Sequence, residues 1–144
     1  MTEYFHHLIS YSLEELQQIA KGKEVFRTYQ KNPYKFYYNL RSFWGTKEGQ
    51  KIKIEVGNKG TIKINGKMVE PFEKKKGWFF IRICDSIEEY PLYRLVAETW
   101  CEFLGQDAVG WDVHHISNDG NDNTPENLIW IKSDIHKGIS RKKS

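Results

Sequence analysis

Three histidines in the C-terminal part of the chain have types and spacing that could do chemistry. His114 and His115 are adjacent, and His136 follows after a run rich in Asn, Asp and Gly. Imidazole is a common ligand of divalent metals, and a free imidazole can remove a proton from water near neutral pH. Two histidines could therefore hold a metal ion while the third acts as a general base. This combination suits metal-assisted phosphodiester hydrolysis.

The residues around these histidines predict a strand, a loop, a second strand and a helix. Residues 112–116 are expected to form the first strand and residues 117–126 the loop, because Asn, Asp and Gly favour tight turns. Residues 128–131 are apolar and predict the second strand. Ser133 then predicts an N-cap, which places His136 in the first turn of a helix.

The two adjacent histidines must point to opposite faces of their strand. If Ile116 packs under the helix, His114 points towards His136 and His115 points away. That arrangement favours His114 and His136 as ligands and His115 as the base. Alternation alone leaves the assignment open, because both faces of the strand carry apolar residues.

The upstream part of the chain predicts mixed α and β structure. A capping box at Ser12-Leu13-Glu14-Glu15 predicts a helix from about Leu13 to Lys21. Apolar residues alternate from Lys51 onwards, and Asn65-Gly66 is a strong hairpin signal. With a further strand in residues 77–84, we expect a small antiparallel sheet of three or four strands.

A second helix is expected just before the histidines. Pro91 opens it, and Gly105 closes it. Its apolar residues recur at helical spacing on one face, and they are Leu92, Leu95, Val96, Trp100 and Phe103. Trp100 is interpreted as a core residue and not as a ligand.

Composition narrows the class of protein. The 144 residues suit one domain, or one core with a small appended module. Cys84 and Cys101 lie far apart, which argues against a zinc ribbon or a disulfide scaffold. No signal peptide or membrane span is evident, so we expect a soluble cytoplasmic protein. The net charge of +3 permits nucleic-acid binding without arguing for it.

Residues 112–136 resemble the HNH endonuclease motif of the ββα-metal superfamily. His115 matches the first histidine of that motif, Asn127 in Pro125-Glu126-Asn127-Leu128 matches the central asparagine, and His136 matches the last histidine. The upstream stretch YRLVAETW, residues 93–100, resembles the helix that precedes this motif in phage and homing-type HNH nucleases. The stretch GNKGTIKINGK resembles a NUMOD-type β module that is often fused there. Together the resemblance covers about residues 51–139.

The resemblance implies an α+β fold, with a small antiparallel sheet and helices followed by a C-terminal ββα-metal motif. Residues 1–89 would be an N-terminal α+β module that contacts DNA, and residues 90–144 would be the nuclease domain. Such a protein would work in the cytoplasm of a bacterial or phage-infected cell.

The resemblance also implies roles for individual residues. His115 would be the general base, and His114 would be a metal ligand at a position that is Asp in many members. His136 would be the second ligand, and Asn127 would hold the loop and the base in orientation. Tyr93 departs from the pattern, because a histidine is usual there, and the zinc-binding cysteines of some subfamilies are absent.

The implied function is a metal-dependent DNA endonuclease; the alternative is a catalytically silent ββα module that only binds DNA. The implied cofactor is one divalent metal ion, with Mg²⁺ first and Mn²⁺, Ni²⁺ or Zn²⁺ as alternatives. The implied partner is DNA and not a membrane, and the enzyme would be a monomer or a homodimer. Asp122 and Asn123 are interpreted as loop-forming residues and not as metal ligands. Candidate nucleic-acid contacts are Lys74, Lys75, Lys76, Lys137 and Arg141.

Overall fold

The computed structural model describes residues 5–31, 41–103, 108 and 110–135, with residues 5, 6, 41 and 42 described by their backbone alone. The fold is α+β, as predicted. The helices are α1 (Leu13–Ala20), α2 (Arg41–Trp44), α3 (Lys47–Lys51) and α4 (Leu92–Trp100). The strands are β1 (Phe5–His6), β2 (Phe26–Thr28), β3 (Ile54–Gly57), β4 (Ile62–Ile64), β5 (Lys67–Val69), β6 (Phe72–Lys75), β7 (Trp78–Ile81), β8 (Tyr90–Pro91), β9 (Trp111–His115) and β10 (Leu128–Lys132).

The predicted hairpin lies within a four-stranded antiparallel sheet of order β2-β3-β4-β5. Asn65 and Gly66 both have positive φ, 51° and 82°, as a tight hairpin turn between β4 and β5 requires. Ile54 and Val56 are fully buried, which confirms the alternation. Lys51 was expected to start the strand, and that was wrong: it ends α3, which begins after Thr46 caps the amide of Gly49.

The strand expected in residues 77–84 is β7, but it belongs to a different sheet. That sheet has the order β6-β7-β8 and is separate from the four-stranded one. The sequence did not predict β6 or β8. All four residues of β6 are exposed, so β6 has no buried face that would produce the alternation typical of a strand.

The two helices predicted upstream of the histidines are present, although α4 is shorter than expected. The capping box of α1 is formed, with Ser12 and Glu15 each accepting a backbone amide of the other. The prediction that the second helix runs to Gly105 was wrong, because it ends at Trp100 and Cys101 is extended. Cys101 instead forms an isolated antiparallel β-bridge with Ile9. The N-terminal segment thus provides the backbone partners that another helical turn would have provided.

The third sheet has the order β1-β10-β9, so the N-terminal strand pairs with a C-terminal one. The helix α4 contacts strands of all three sheets. Its Trp100 side chain donates from Nε1 to the carbonyl of Val56 in β3 at 3.0 Å. A domain boundary between residues 89 and 90 stays a prediction; the described core contains residues from both sides of it.

A buried polar cluster attaches α4 to the strands beneath it. The carboxylate of Glu98 accepts hydrogen bonds from the hydroxyls of Tyr29 and Tyr90 at 2.8 and 2.6 Å. Arg94 donates to its other oxygen at 3.1 Å. Burial raises the pKa of Glu98, and Arg94 and the two hydroxyls offset this in part. The cluster satisfies the buried charge and so fixes the position of α4.

The ion pair between Glu15 and Arg27 joins α1 to β2, and its contribution to stability can be tested at acid pH. Arg27 donates from Nε and Nη2 to the two oxygens of Glu15 at 2.8 and 2.7 Å. The guanidinium of Arg27 is the main reason that the pKa of Glu15 falls to about 2 from 4.5. A lowered carboxyl pKa stabilises the fold above pH 4.5, and this stabilisation is lost as the pH falls towards 2.

Glu15→Gln is therefore expected to lower the free energy of unfolding by about 1–2 kcal/mol at neutral pH. The difference in the free energy of unfolding between this variant and the wild type should disappear as the pH approaches 2. Urea unfolding across this pH range measures both effects. Glu14→Gln, at an exposed neighbour in the same helical turn, should change little. A deficit that persists at the acid end would contradict the assignment.

Candidate functional site

The strands β9 and β10 form an antiparallel hairpin that holds the two adjacent histidines. His115 pairs with Leu128, and His114 pairs with Ile129. Strand alternation places His115 on the same face as Val113, which is buried at 4% exposure. His115 therefore faces α4, where the centroids of its ring and the ring of Tyr93 lie 5.2 Å apart.

His114 lies on the opposite face, together with Asp112. The carboxylate of Asp112 accepts a hydrogen bond from the hydroxyl of Ser133 at 3.0 Å. Residues 133–135 are helical, so this bond ties the start of that helical segment to the His114 face. Ile116 is 45% exposed, so its packing under a helix does not decide which way His114 faces. The bond between Asp112 and Ser133 holds the helical segment on the His114 face instead.

A side-chain hydrogen bond fixes the orientation of the His115 ring. Its Nε2 lies 2.8 Å from Oδ1 of Asn123. The amide nitrogen of Asn123 donates to the carbonyl of Gly120 at 3.0 Å, so the amide oxygen must be the atom that faces the histidine. In the neutral ring, Nε2 then carries the proton and donates it to Asn123. The lone pair of Nδ1 is left to accept a proton.

This role of Asn123 was not predicted from the sequence. It was interpreted as a loop-forming residue, although its side chain is buried at 8% exposure and contacts the ring of His115. Nothing in the spacing or composition distinguishes it from Asn121, which is exposed in the same loop. The distinction depends on how the loop folds back over the strand end.

Asn127 closes the loop at its base. Its Oδ1 accepts from the amide of Ser117, and its Nδ2 donates to the carbonyl of Asp122, both at 2.9 Å. Its own carbonyl accepts from the amide of Ile116 at 2.7 Å. These bonds join the two ends of the loop, so Asn127 acts on the orientation of His115 through the backbone. The direct contact with the ring is made by Asn123.

The acidic residues of the loop support its turns. The carboxylate of Asp119 accepts from the backbone amide and the side-chain amide of Asn121, and these bonds lower the pKa of Asp119. Asp122 accepts from the hydroxyl of Thr124 at 2.8 Å. Asn118 has a positive φ of 63°, which Asn tolerates better than most residues. Both aspartates thus make the turn contacts expected of them.

Two turns of the upstream hairpins lie directly against this loop. A Cβ atom added to Gly120 would lie 1.9 Å from the carbonyl oxygen of Gly77, in the turn between β6 and β7. A Cβ atom on Gly60, in the turn between β3 and β4, would lie 3.0 Å from the carbonyl oxygen of Asn123. The loop is therefore supported from the N-terminal part of the chain. No local sequence pattern predicts these contacts.

The candidate phosphate-binding residues fall into two groups. Lys74, Lys75 and Lys76 are exposed in β6 and the turn that follows it, beside Gly77. The structure thus places them next to the loop that contacts His115. Lys137 and Arg141 lie outside the described residues.

The predicted metal site is described only in part. His114 is half-buried in β9, whereas His136 and the residues after it lie outside the described residues. Among the described residues, no group of three or more His, Cys, Asp or Glu side chains is placed to hold a metal. Two imidazoles on facing elements would suit a divalent metal with open positions, which is the arrangement expected of His114 and His136.

None of the helices within the described ranges is long and apolar enough to cross a membrane. No family model, curated protein or solved structure matches the chain. The resemblance to the HNH endonucleases therefore rests on the motif residues themselves.

Proposed function

We propose that this protein is a metal-dependent DNA endonuclease that hydrolyses phosphodiester bonds, with His115 as its general base. One observation supports the proposal above the others: the hydrogen bonds from His115 to Asn123 and from Asn123 to Gly120 leave Nδ1 of His115 as a proton acceptor. A general base at neutral pH requires one imidazole nitrogen that is free of a proton, and the bond to Asn123 selects the tautomer that provides it.

The proposed reaction begins when Nδ1 of His115 takes a proton from a water molecule. The water oxygen attacks the phosphorus, a new P–O bond forms, and the bond to the leaving sugar oxygen breaks. His114 and His136 would hold one divalent metal ion, which would stabilise the negative charge on the phosphate and on the leaving oxygen. Asn123 keeps Nε2 protonated throughout, so the base cannot turn its other nitrogen towards the water.

The rigidity of the loop supports this assignment. Asn127 joins the two ends of the loop through Ser117 and Asp122. The turns at Gly60 and Gly77 lie against its outer side. A general base must be held within hydrogen-bond distance of the water, and these contacts limit the movement of the strand end that carries His115.

The proposed partner is DNA, encountered in the cytoplasm of a bacterial or phage-infected cell. Lys74, Lys75 and Lys76 would contact the phosphate backbone beside the site, and Lys137 and Arg141 would contact it from the last helix. A monomer with one such site would nick one strand, and a homodimer could cut both. A catalytically silent DNA-binding module remains the alternative outcome of the test below.

The decisive experiment is cleavage of supercoiled plasmid with Mg²⁺, Mn²⁺, Ni²⁺ or Zn²⁺, titrated separately. The wild type is expected to yield nicked or linear DNA with at least one metal and none with a chelator. His136→Ala and His114→Ala should each require at least about 10-fold more metal for the same rate, because loss of a nitrogen ligand costs at least as much as loss of a partner that only orients one. Glu14→Ala, at an exposed residue of α1, should leave the requirement unchanged. Binding to DNA without cleavage under all four metals would support the silent module instead.

A further inference from the structure

The hairpin of β6 and β7 places a tight turn beside the candidate site. Gly77 in this turn has a positive φ of 82°, and the carboxylate of Glu73 accepts from its amide at 2.7 Å. The carbonyl of Gly77 lies so close to Gly120 that no side chain fits between them. The turn and the loop that contacts His115 therefore form one continuous surface.

This turn carries excess positive charge. Lys74 is paired with Glu89 at 2.8 Å, and Glu73 is engaged with the amide of Gly77. Lys75 and Lys76 are exposed, and the part of the chain that the structure describes shows no ion pair for either. Two exposed lysines that form no ion pair within the described residues are suited to contact phosphate groups.

Trp78 follows the turn and is 50% exposed. The other four indoles are buried or half-buried, and Trp44, Trp100 and Trp130 are exposed by 2% or less. The ring of Trp78 is supported by Tyr93, with centroids 6.2 Å apart, and Tyr93 lies 5.2 Å from His115. Two successive ring contacts thus connect an exposed tryptophan to the proposed base.

We propose that this surface, consisting of Lys75, Lys76 and Trp78, binds unpaired DNA next to the proposed cleavage site. The indole would stack on a nucleobase while the two lysines contact the adjoining phosphates. An aromatic platform beside positive charge is typical of single-strand recognition, because every base offers a π-face. In a duplex those faces are covered by neighbouring base pairs. The inference rests on the proposed function and adds a preference for single-stranded or locally opened DNA.

The fluorescence of Trp78 can report binding directly. The wild type is titrated with oligothymidylate of about 12 nucleotides in the presence of a chelator, so that binding is measured without cleavage. Stacking should quench the tryptophan fluorescence, and labelled oligothymidylate should bind more tightly than a duplex of the same length. Trp78→Leu keeps apolar bulk and removes the π-face, so it should lose the quenching and bind single strands about 10-fold more weakly. Its duplex binding should change little.

Two further variants separate the contribution of the lysines to single-strand binding from that of the exposed indole. Lys75→Ala with Lys76→Ala should reduce the salt dependence of single-strand binding, because fewer counterions are released. Met68→Ala, at a residue 65% exposed in β5, is the control for loss of an exposed apolar side chain and should bind like the wild type.

The outcomes distinguish this inference from the proposed function. Wild-type affinity and quenching in Trp78→Leu would overturn the inference, even if plasmid is still cleaved. Equal binding of the wild type to single strands and duplex would also overturn it. Quenching that depends on Trp78 in a protein that cleaves no plasmid would support the binding site and count against the nuclease.

Discussion

His115→Ala is expected to reduce the rate of metal-dependent plasmid cleavage at least about 100-fold, as for loss of a general base. The proposed base atom is Nδ1, because Nε2 is committed to Asn123 at 2.8 Å. The ring is half-buried at the end of β9, so its removal should affect activity far more than stability. The measurement is the initial rate of supercoiled plasmid loss at saturating metal, with folding verified by circular dichroism.

Two asparagine variants in the loop, Asn123→Ala and Asn121→Ala, test how the ring of His115 is oriented. Asn123→Ala removes the acceptor but leaves the imidazole, so a smaller loss of about 10-fold is expected, with an altered pH profile of the rate. The ¹⁵N chemical shifts of His115 should show a proton on Nε2 in the wild type and a mixture of tautomers in the variant. Asn121→Ala, at an exposed asparagine of the same loop, should leave the cleavage rate and the tautomer unchanged.

Unaltered cleavage by His115→Ala would refute the assignment of His115 as the base.

The second large effect is expected on stability, from Trp100→Ala. Trp100 is 2% exposed, and its Nε1 donates to Val56 at 3.0 Å. The guanidinium of Arg27 lies 4.0 Å from the centre of its ring, and Tyr11 packs against the same ring. Truncation should lower the free energy of unfolding by about 3–5 kcal/mol, because it leaves a cavity between α4 and β3. Urea unfolding followed by circular dichroism measures the change.

Trp100→Phe is the control for this prediction. It retains most of the ring volume and loses the hydrogen bond to Val56, so a smaller cost of about 1–2 kcal/mol is expected. If the N-terminal and C-terminal parts share one core, both variants should unfold in one cooperative transition. Two separate transitions, with only one of them displaced, would contradict that interpretation and favour independent modules on either side of residue 90.

Elements with a local signal were predictable from the sequence. The capping box at Ser12 and Glu15 predicted α1, since both of its hydrogen bonds lie within one helical turn. Asn65 and Gly66 predicted a hairpin turn because both residues tolerate positive φ. These predictions were confirmed because short-range geometry decides them.

Elements that depend on distant partners were not predictable in this way. The exposed strand β6 has no alternation, and β1 is two residues long and pairs with β10 at the other end of the chain. The helix α4 ends early because Cys101 pairs with Ile9 in place of another turn. For β1 and α4 the backbone partner lies outside the window in which a pattern can be observed. The partner of β6 is the neighbouring β7, and β6 was missed because none of its side chains is buried.

For the site, the sequence by itself determined that His114 and His115 must face opposite ways, because the side chains of a strand alternate. It also singled out Asn127, whose hydrogen bonds to Ser117 and Asp122 close the loop. Only the tertiary structure decided that His115 faces α4 and that Asn123 contacts its ring. Only it placed the turn at Gly77 against Gly120. The reason is physical: alternation and turn propensity act over a few residues, whereas the face of a strand that becomes buried depends on which distant elements pack against it.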